Sequence, residues 1–162
     1  MKTKIKSVLE ASAIATFEDV CFMYQAPELN NEQKKLKPDA VVEVKYKGDH
    51  TGRLVIETYG DLFSAIAANM LSEESPALPQ KKDALGEIAN IICGNVVASL
   101  GRTEKGYKIG SPRSLKKDEW PKLGKPFAKI SLNFNEGRAD IKFFVDNAIS
   151  VKEKNVDKSS DC

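Results

Sequence analysis

Histidine is almost absent from this chain: one, His50, stands among 162 residues, and the three cysteines, Cys21, Cys93 and Cys162, lie far apart with no C-x-x-C pair. Zinc sites need clustered His and Cys ligands at short spacings, and an odd number of thiols cannot close a disulfide framework, so both readings give way to reduced thiols. A Ser-His-Asp or Cys-His unit would have to use His50, which falls in a turn between two strand-like runs, and a plain exposed histidine is the simpler reading. Cys93 reads as a small core hydrophobe. Long apolar runs are also missing, since no stretch approaches the roughly 18 residues that a membrane span needs. The opening MKTKIKSVLEASA has basic residues and alanines without a continuous apolar centre, so it reads as amphipathic helix rather than signal peptide and points to a cytoplasmic chain. Nor does one sign of charge dominate. The 25 basic and 23 acidic residues leave a net +2, too weak a field to suggest nucleic acid or an anionic membrane as partner.

What is present is ordinary for a globular protein, with 41% hydrophobic and 30% charged residues in a length that suits one domain. That domain is expected over residues 1–146, with the polar, nonperiodic stretch 147–162 as a flexible tail. Apolar residues at helical spacing (Ile5, Val8, Leu9, Ala13, Phe17, Val20) predict a first helix from Thr3 to about Met23. A loop from Gln25 to Asp39 separates it from two alternating runs, Val42/Val44/Tyr46 and Leu54/Ile56/Thr58, which read as a hairpin. Asp61 is placed to cap a second helix through its carboxylate, with Leu62, Phe63, Ile66, Ala67, Met70 and Leu71 buried and a stop near Ser75-Pro76. A third helix is expected after Pro79, from about Lys81 to Leu100, ended by Gly101. Tyr107–Ser111 suits a short strand, Trp120 is expected to pack over the core, and Ala128–Phe134 with Ile141–Val145 forms a second hairpin. Together these predict a two-layer α+β domain, a mainly antiparallel sheet with helices on one face.

The third helix is the unusual one. Leu85, Ile88, Ala89, Ile92, Val96 and Leu100 form its core side, while Asp83, Glu87, Asn90, Gly94 and Gly101 lie opposite, flanked by Ile91 and Val97. Exposed helix faces usually carry Lys, Arg, Glu and Gln, and here that face is nearly stripped of them. Glycine inside a helix costs about 1 kcal/mol relative to alanine, so Gly86, Gly94 and Gly101 suggest close approach by something, either a partner or another part of the chain. Glu87 and Asn90, three residues apart, emerge about 60° from each other. Asp83 suits either an N-cap or a partner contact.

The run Asp83-Ala-Leu-Gly-Glu87-Ile-Ala-Asn90-Ile-Ile-Cys-Gly94-Asn resembles the signature helix of the CheC/CheX/FliY chemotaxis phosphatases: Asp or Ser, three residues, Glu, two residues, Asn, then about twenty residues to a proline, here Pro112. Only one such motif is present, which makes the chain CheX-like. The resemblance extends over Gly52–Ile56 and Asp61–Leu71, and in all covers residues 5–146. It implies a phosphatase acting on the aspartyl phosphate of a CheY-like response-regulator receiver, with Asn90 orienting the attacking water and Glu87 pairing with a receiver lysine. Asp83, Glu87, Ile91, Gly94, Val97 and Pro112 would contact the partner. No cofactor of its own is expected, Mg2+ arriving with the phosphorylated receiver, and a homodimer through the sheets would leave the helix free. The alternative is a non-catalytic receiver-binding or homo-oligomeric module that uses the same face.

Overall fold

The computed structural model describes residues 2–26, 37–101 and 106–146. Expectations for residues 27–36 and for the tail 147–162 therefore lie outside the described residues. The elements in chain order are α1 (Lys2–Cys21), β1 (Ala40–Lys47), β2 (Thr51–Gly60), α2 (Leu62–Leu71), α3 (Leu78–Ala98), β3 (Lys108–Ile109), β4 (Arg113–Ser114), a short 3-10 helix (Lys117–Lys122), β5 (Ala128–Phe134) and β6 (Gly137–Val145). The sheet runs β3-β1-β2-β6-β5, with β4 also pairing to β1, and every pairing is antiparallel.

Alternation along the strands creates two separate cores. Val42, Val44 and Tyr46 of β1, Leu54 and Ile56 of β2, Ile130, Leu132 and Phe134 of β5, and Ile141 and Phe143 of β6 face α1, α2 and α3 and build the main one. Residues one step out of phase point the other way. Val41, Val55 and Phe144 meet Leu115 and Leu123 in a smaller cluster on the opposite face, with Trp120 packed against it. The expectation for Trp120 thus holds, but for this second core. The remainder of the outer face is charged yet largely buried: Glu43 is 2% exposed, Glu57 5% and Asp140 5%, each paired with cations. A face expected to be simply polar is therefore a lattice of ion pairs, because a buried carboxylate must be paired to remain charged.

Gly52 is dictated by a close approach. A Cβ there would run into the Phe144 carbonyl oxygen and the Tyr46 hydroxyl, which donates to that same carbonyl at 2.7 Å. The Tyr46 ring stacks on Phe143 with centroids 5.2 Å apart, locking β1 across β2 to β6.

Three helix expectations are corrected. Asp61 makes no side-chain cap; its backbone (φ −90°, ψ 8°) is not extended as a capping carboxylate requires, and its N–H instead donates to the Glu136 carbonyl. α2 ends at Leu71, before Ser75, because Ser72 turns into the left-handed region, and Leu71 is 45% exposed rather than buried. α3 begins at Leu78, three residues early, with Pro79 inside its first turn, where a missing N–H costs nothing.

Candidate active site

α3 is anchored before it presents anything. At its start Gln80 Oε1 accepts the Ala77 N–H at 2.8 Å. Along its inner side Ala84, Leu85, Ile88, Ala89, Ile92, Cys93 and Val96 are buried against the sheet and α1, each fully buried aliphatic chain contributing about 1.5–3 kcal/mol. A cross-link from Asn95 Nδ2 to Ser12 Oγ, 2.9 Å, fixes α3 to α1. The outward residues are thus held on a rigid support.

Asp83, Glu87 and Asn90 are exposed, and the structure brings all three together with Pro112 in one groove of about 500 Å³. Its other lining residues are Val42, Lys82, Gly86 and Ser114. One wall is α3, and the other is the Pro112–Ser114 segment, carried there by the pairing of Val42 with Ser114 and of Glu43 with Arg113. Among the described residues the side chains of Asp83, Glu87 and Asn90 form no hydrogen bond or ion pair. Three polar side chains on a rigid helix are therefore aimed into a groove with their bonding capacity unspent.

Asp83 is the sixth residue of α3, too deep to be its N-cap, which removes the capping alternative. Gly94 and Val97 do not share the groove. They line a separate recess of about 430 Å³ with Ala98, Gly101, Gly106, Tyr107 and Ile109. Val97, expected on the open edge of the helix, is only 3% exposed, because the returning strand β3 covers that edge. Ile91 is half-buried and lines neither recess.

The glycines have intrachain reasons. Gly86 is buried, and a Cβ on it would stand 2.8 Å from Pro112 Cβ. A Cβ on Gly94 would meet Ile109 Cδ1 at 3.4 Å, and Gly101 has φ +114°, beyond the helix end. The close approach that the sequence implied is thus made by the chain itself. Lys82, Val42 and Ser114 were missed. Lys82 was legible in principle, inside the expected helix and one turn before Gly86 on the same wall. Ser114 and Val42 carried no signal, since only the β1–β4 pairing puts them there.

Cys93 offers no nucleophile: it is fully buried, and burial pushes its thiol up to about 12. His50 sits in the β1–β2 turn and is not part of the groove. Among the described residues no group of three or more His, Cys, Asp or Glu side chains could hold a metal ion, and no helix is long and apolar enough to cross a membrane.

An open antiparallel sheet with three helices on one face defines an α+β domain of the CheC/CheX architecture, here with an outward acid–amide pair beside a groove. A sequence model described as chemotaxis phosphatase CheX matches residues 40–132, more than half of the chain, and the chain belongs to this family. Solved structures share the fold at low identity. The CheX protein of Desulfovibrio desulfuricans is 17% identical with a TM-score of 0.66, over 88% of this chain and 99% of that one. CheX in a CheX–CheY–BeF3–Mg2+ complex from Borrelia burgdorferi is 17% identical with a TM-score of 0.60, over 86% and 96%. A CheC-like protein of Shewanella sp. PV-4 is 22% identical with a TM-score of 0.61, over 87% and 96%. Among curated protein sequences none matches this chain.

Proposed function

We propose that this chain hydrolyses the aspartyl phosphate of a CheY-like response-regulator receiver, acting in the cytoplasm through the single domain of residues 1–146. The observation that carries the proposal is the unpartnered Glu87–Asn90 pair, exposed on a rigid helix beside a groove large enough to admit a partner's loop. Membership in a family described as phosphatases, and a related CheX solved together with CheY, support the choice of substrate.

An acyl phosphate breaks down when a water is held in line with phosphorus and the developing charge is stabilised. The receiver, with its bound Mg2+ and a lysine, supplies the charge stabilisation. This chain supplies the water's position. The Asn90 carboxamide both donates and accepts, so it can fix the water's orientation at neutral pH without changing protonation. Glu87, an acceptor when ionised, pairs with the receiver lysine and sets the register. Asp83 and Pro112 contact the partner from the groove and Ile91 from the helix surface outside it, whereas Gly94 and Val97 shape the neighbouring recess from within. A homodimer through the sheets completes the proposal and leaves α3 free.

The test is the decay of a receiver phosphorylated by a small phosphodonor with Mg2+, followed with and without this protein. Acceleration by the wild type, and loss on the order of 10²-fold or more in Asn90→Ala, is expected. Unchanged decay across candidate receivers overturns the phosphatase reading, and full activity in Asn90→Ala overturns its assignment.

A further inference from the structure

The groove has two walls of unequal security. α3 is packed along its whole inner side, but residues 110–114, which form the opposite wall, are exposed throughout. Backbone bonds hold this segment near its ends, from Gly110 N–H to the Lys45 carbonyl at 2.7 Å and from Leu115 N–H to the Val41 carbonyl at 2.9 Å. Between them, the two-residue strand β4 pairs Arg113 with Glu43 and Ser114 with Val42 of β1, and Pro112 leans on Gly86, which has no side chain to grip it. Among the described residues, one other side chain ties the segment down. Arg113 reaches through to the far face of the sheet, where Nη2 meets Glu43 Oε2 at 2.9 Å and Nη1 meets Glu119 Oε2 at 2.9 Å.

Glu43 makes this more than a surface ion pair. It is 2% exposed on the central part of β1 and shared between Arg113 and Arg53, whose own guanidinium also donates to the Leu123 carbonyl at 2.7 Å. A buried carboxylate bridged by two guanidiniums is a directional anchor, since charge-assisted bonds of this kind are short and geometrically strict. Alternation in a strand does the rest: with Arg113 turned to the outer face, its neighbours Pro112 and Ser114 are turned toward α3.

We propose that Arg113 is a positioning residue for the groove. Clamped on Glu43, it holds the Pro112–Ser114 wall at a fixed separation from Glu87 and Asn90, and thereby governs affinity for the receiver rather than the rate of hydrolysis once bound. The proposal rests on the phosphatase reading for its kinetic consequence and on the wall geometry for its structural one. A loosened wall must be ordered anew each time a receiver docks, and that cost falls equally on ground and transition states.

The experiment measures dephosphorylation against receiver concentration for wild type, Arg113→Ala and Arg113→Lys, with hydrogen exchange of the amides of Ser111, Arg113 or its replacement, and Ser114. Arg113→Ala is expected to raise KM on the order of tenfold, with kcat within about twofold and the β1–β2 amides as protected as before. Arg113→Lys, which keeps a charge but loses the fork, should recover part of the KM. A merely structural role would lower the active fraction and leave KM alone. An unchanged KM in folded Arg113→Ala, or a fall in kcat with KM fixed, overturns the proposal; if the alanine variant does not fold, the lysine variant decides by the same criterion. Should the wild type act on no receiver, the phosphatase reading fails by itself. Exchange at 111–114 then judges the clamp, and equal rates in wild type and variant overturn it.

Discussion

The three asparagines of α2 and α3 are put to three different uses. Asn69 donates to the Cys21 carbonyl at 2.9 Å and so closes the C-terminus of α1 from a neighbouring helix. Asn95 ties α3 to Ser12, and Asn90 alone bonds no described side chain or loop. Asn69→Ala should therefore cost about 1 kcal/mol in chemical denaturation without touching the rate, while Asn90→Ala does the reverse. The buried thiols define a second residue-scale property. Burial pushes Cys21 and Cys93 up to about 12 from 9.0, so the folded state holds their protons more tightly than the unfolded one. Their contribution to stability is complete below about pH 9 and is lost as pH rises toward 12. Tyr46 and Tyr59, raised mainly by burial, add to the loss above 10.0. Thermal melts from pH 8 to 11 should fall, and a Cys21→Ala/Cys93→Ala double variant should fall less steeply. At pH 8 neither thiol should react with a thiol reagent until denaturant is added.

Among elements, the meeting of α3 with the Pro112 segment sets the groove width. Gly86→Ala gains about 1 kcal/mol of helix propensity but brings a methyl to 2.8 Å from Pro112 Cβ, too close for either atom to stay. The exposed segment gives way before the packed helix does. Helix content by circular dichroism should be retained, with receiver dephosphorylation weakened several-fold, chiefly in KM. Elements of this kind also mark how far the sequence could be read. The β5 and β6 alternation and the inner side of α3 were legible, because periodicity reports burial directly, and so was the convergence of Asp83, Glu87, Asn90 and Pro112. β4 was not legible: two exposed residues have no period, and their strand identity comes wholly from β1. The same blindness explains Val97 and Gly86. A helical wheel sees the helix but not what folds back over it, so the covered edge looked open and the glycines left a partner and the chain itself as alternatives.

At the scale of the whole molecule, β1 and β2 serve both cores at once, sending Val42 and Leu54 to the helices and Val41 and Val55 to the Trp120 side. The sheet's outer face is knit by Glu57 with Lys142 and by Asp140 with Arg138 at 3.1 Å and Ser131 at 2.7 Å. These charges are satisfied within the chain, whereas the carboxylates of Asp83 and Glu87 on α3 pair with none of the described residues. A second copy joined through the sheets leaves Glu87 untouched, while one joined through α3 must bury it. Sedimentation of wild type and Glu87→Lys should accordingly give the same dimer, and dissociation of the variant alone would place the interface on α3 instead.

The groove is built from two stretches of chain, α3 and the Pro112–Ser114 segment, the second set beside the first by its pairing with β1. The side chain proposed to orient the water belongs to one helix, and the opposing side is a short, surface-lying strap with its own ion pairs to Glu43 and Glu119. Under the proposed function, descendants of such a chain can recut the strap to admit a different regulator while Asn90 keeps its place. On the same reading, part of recognition can thus change on the strap while Glu87 and Asn90 stay in place on the helix.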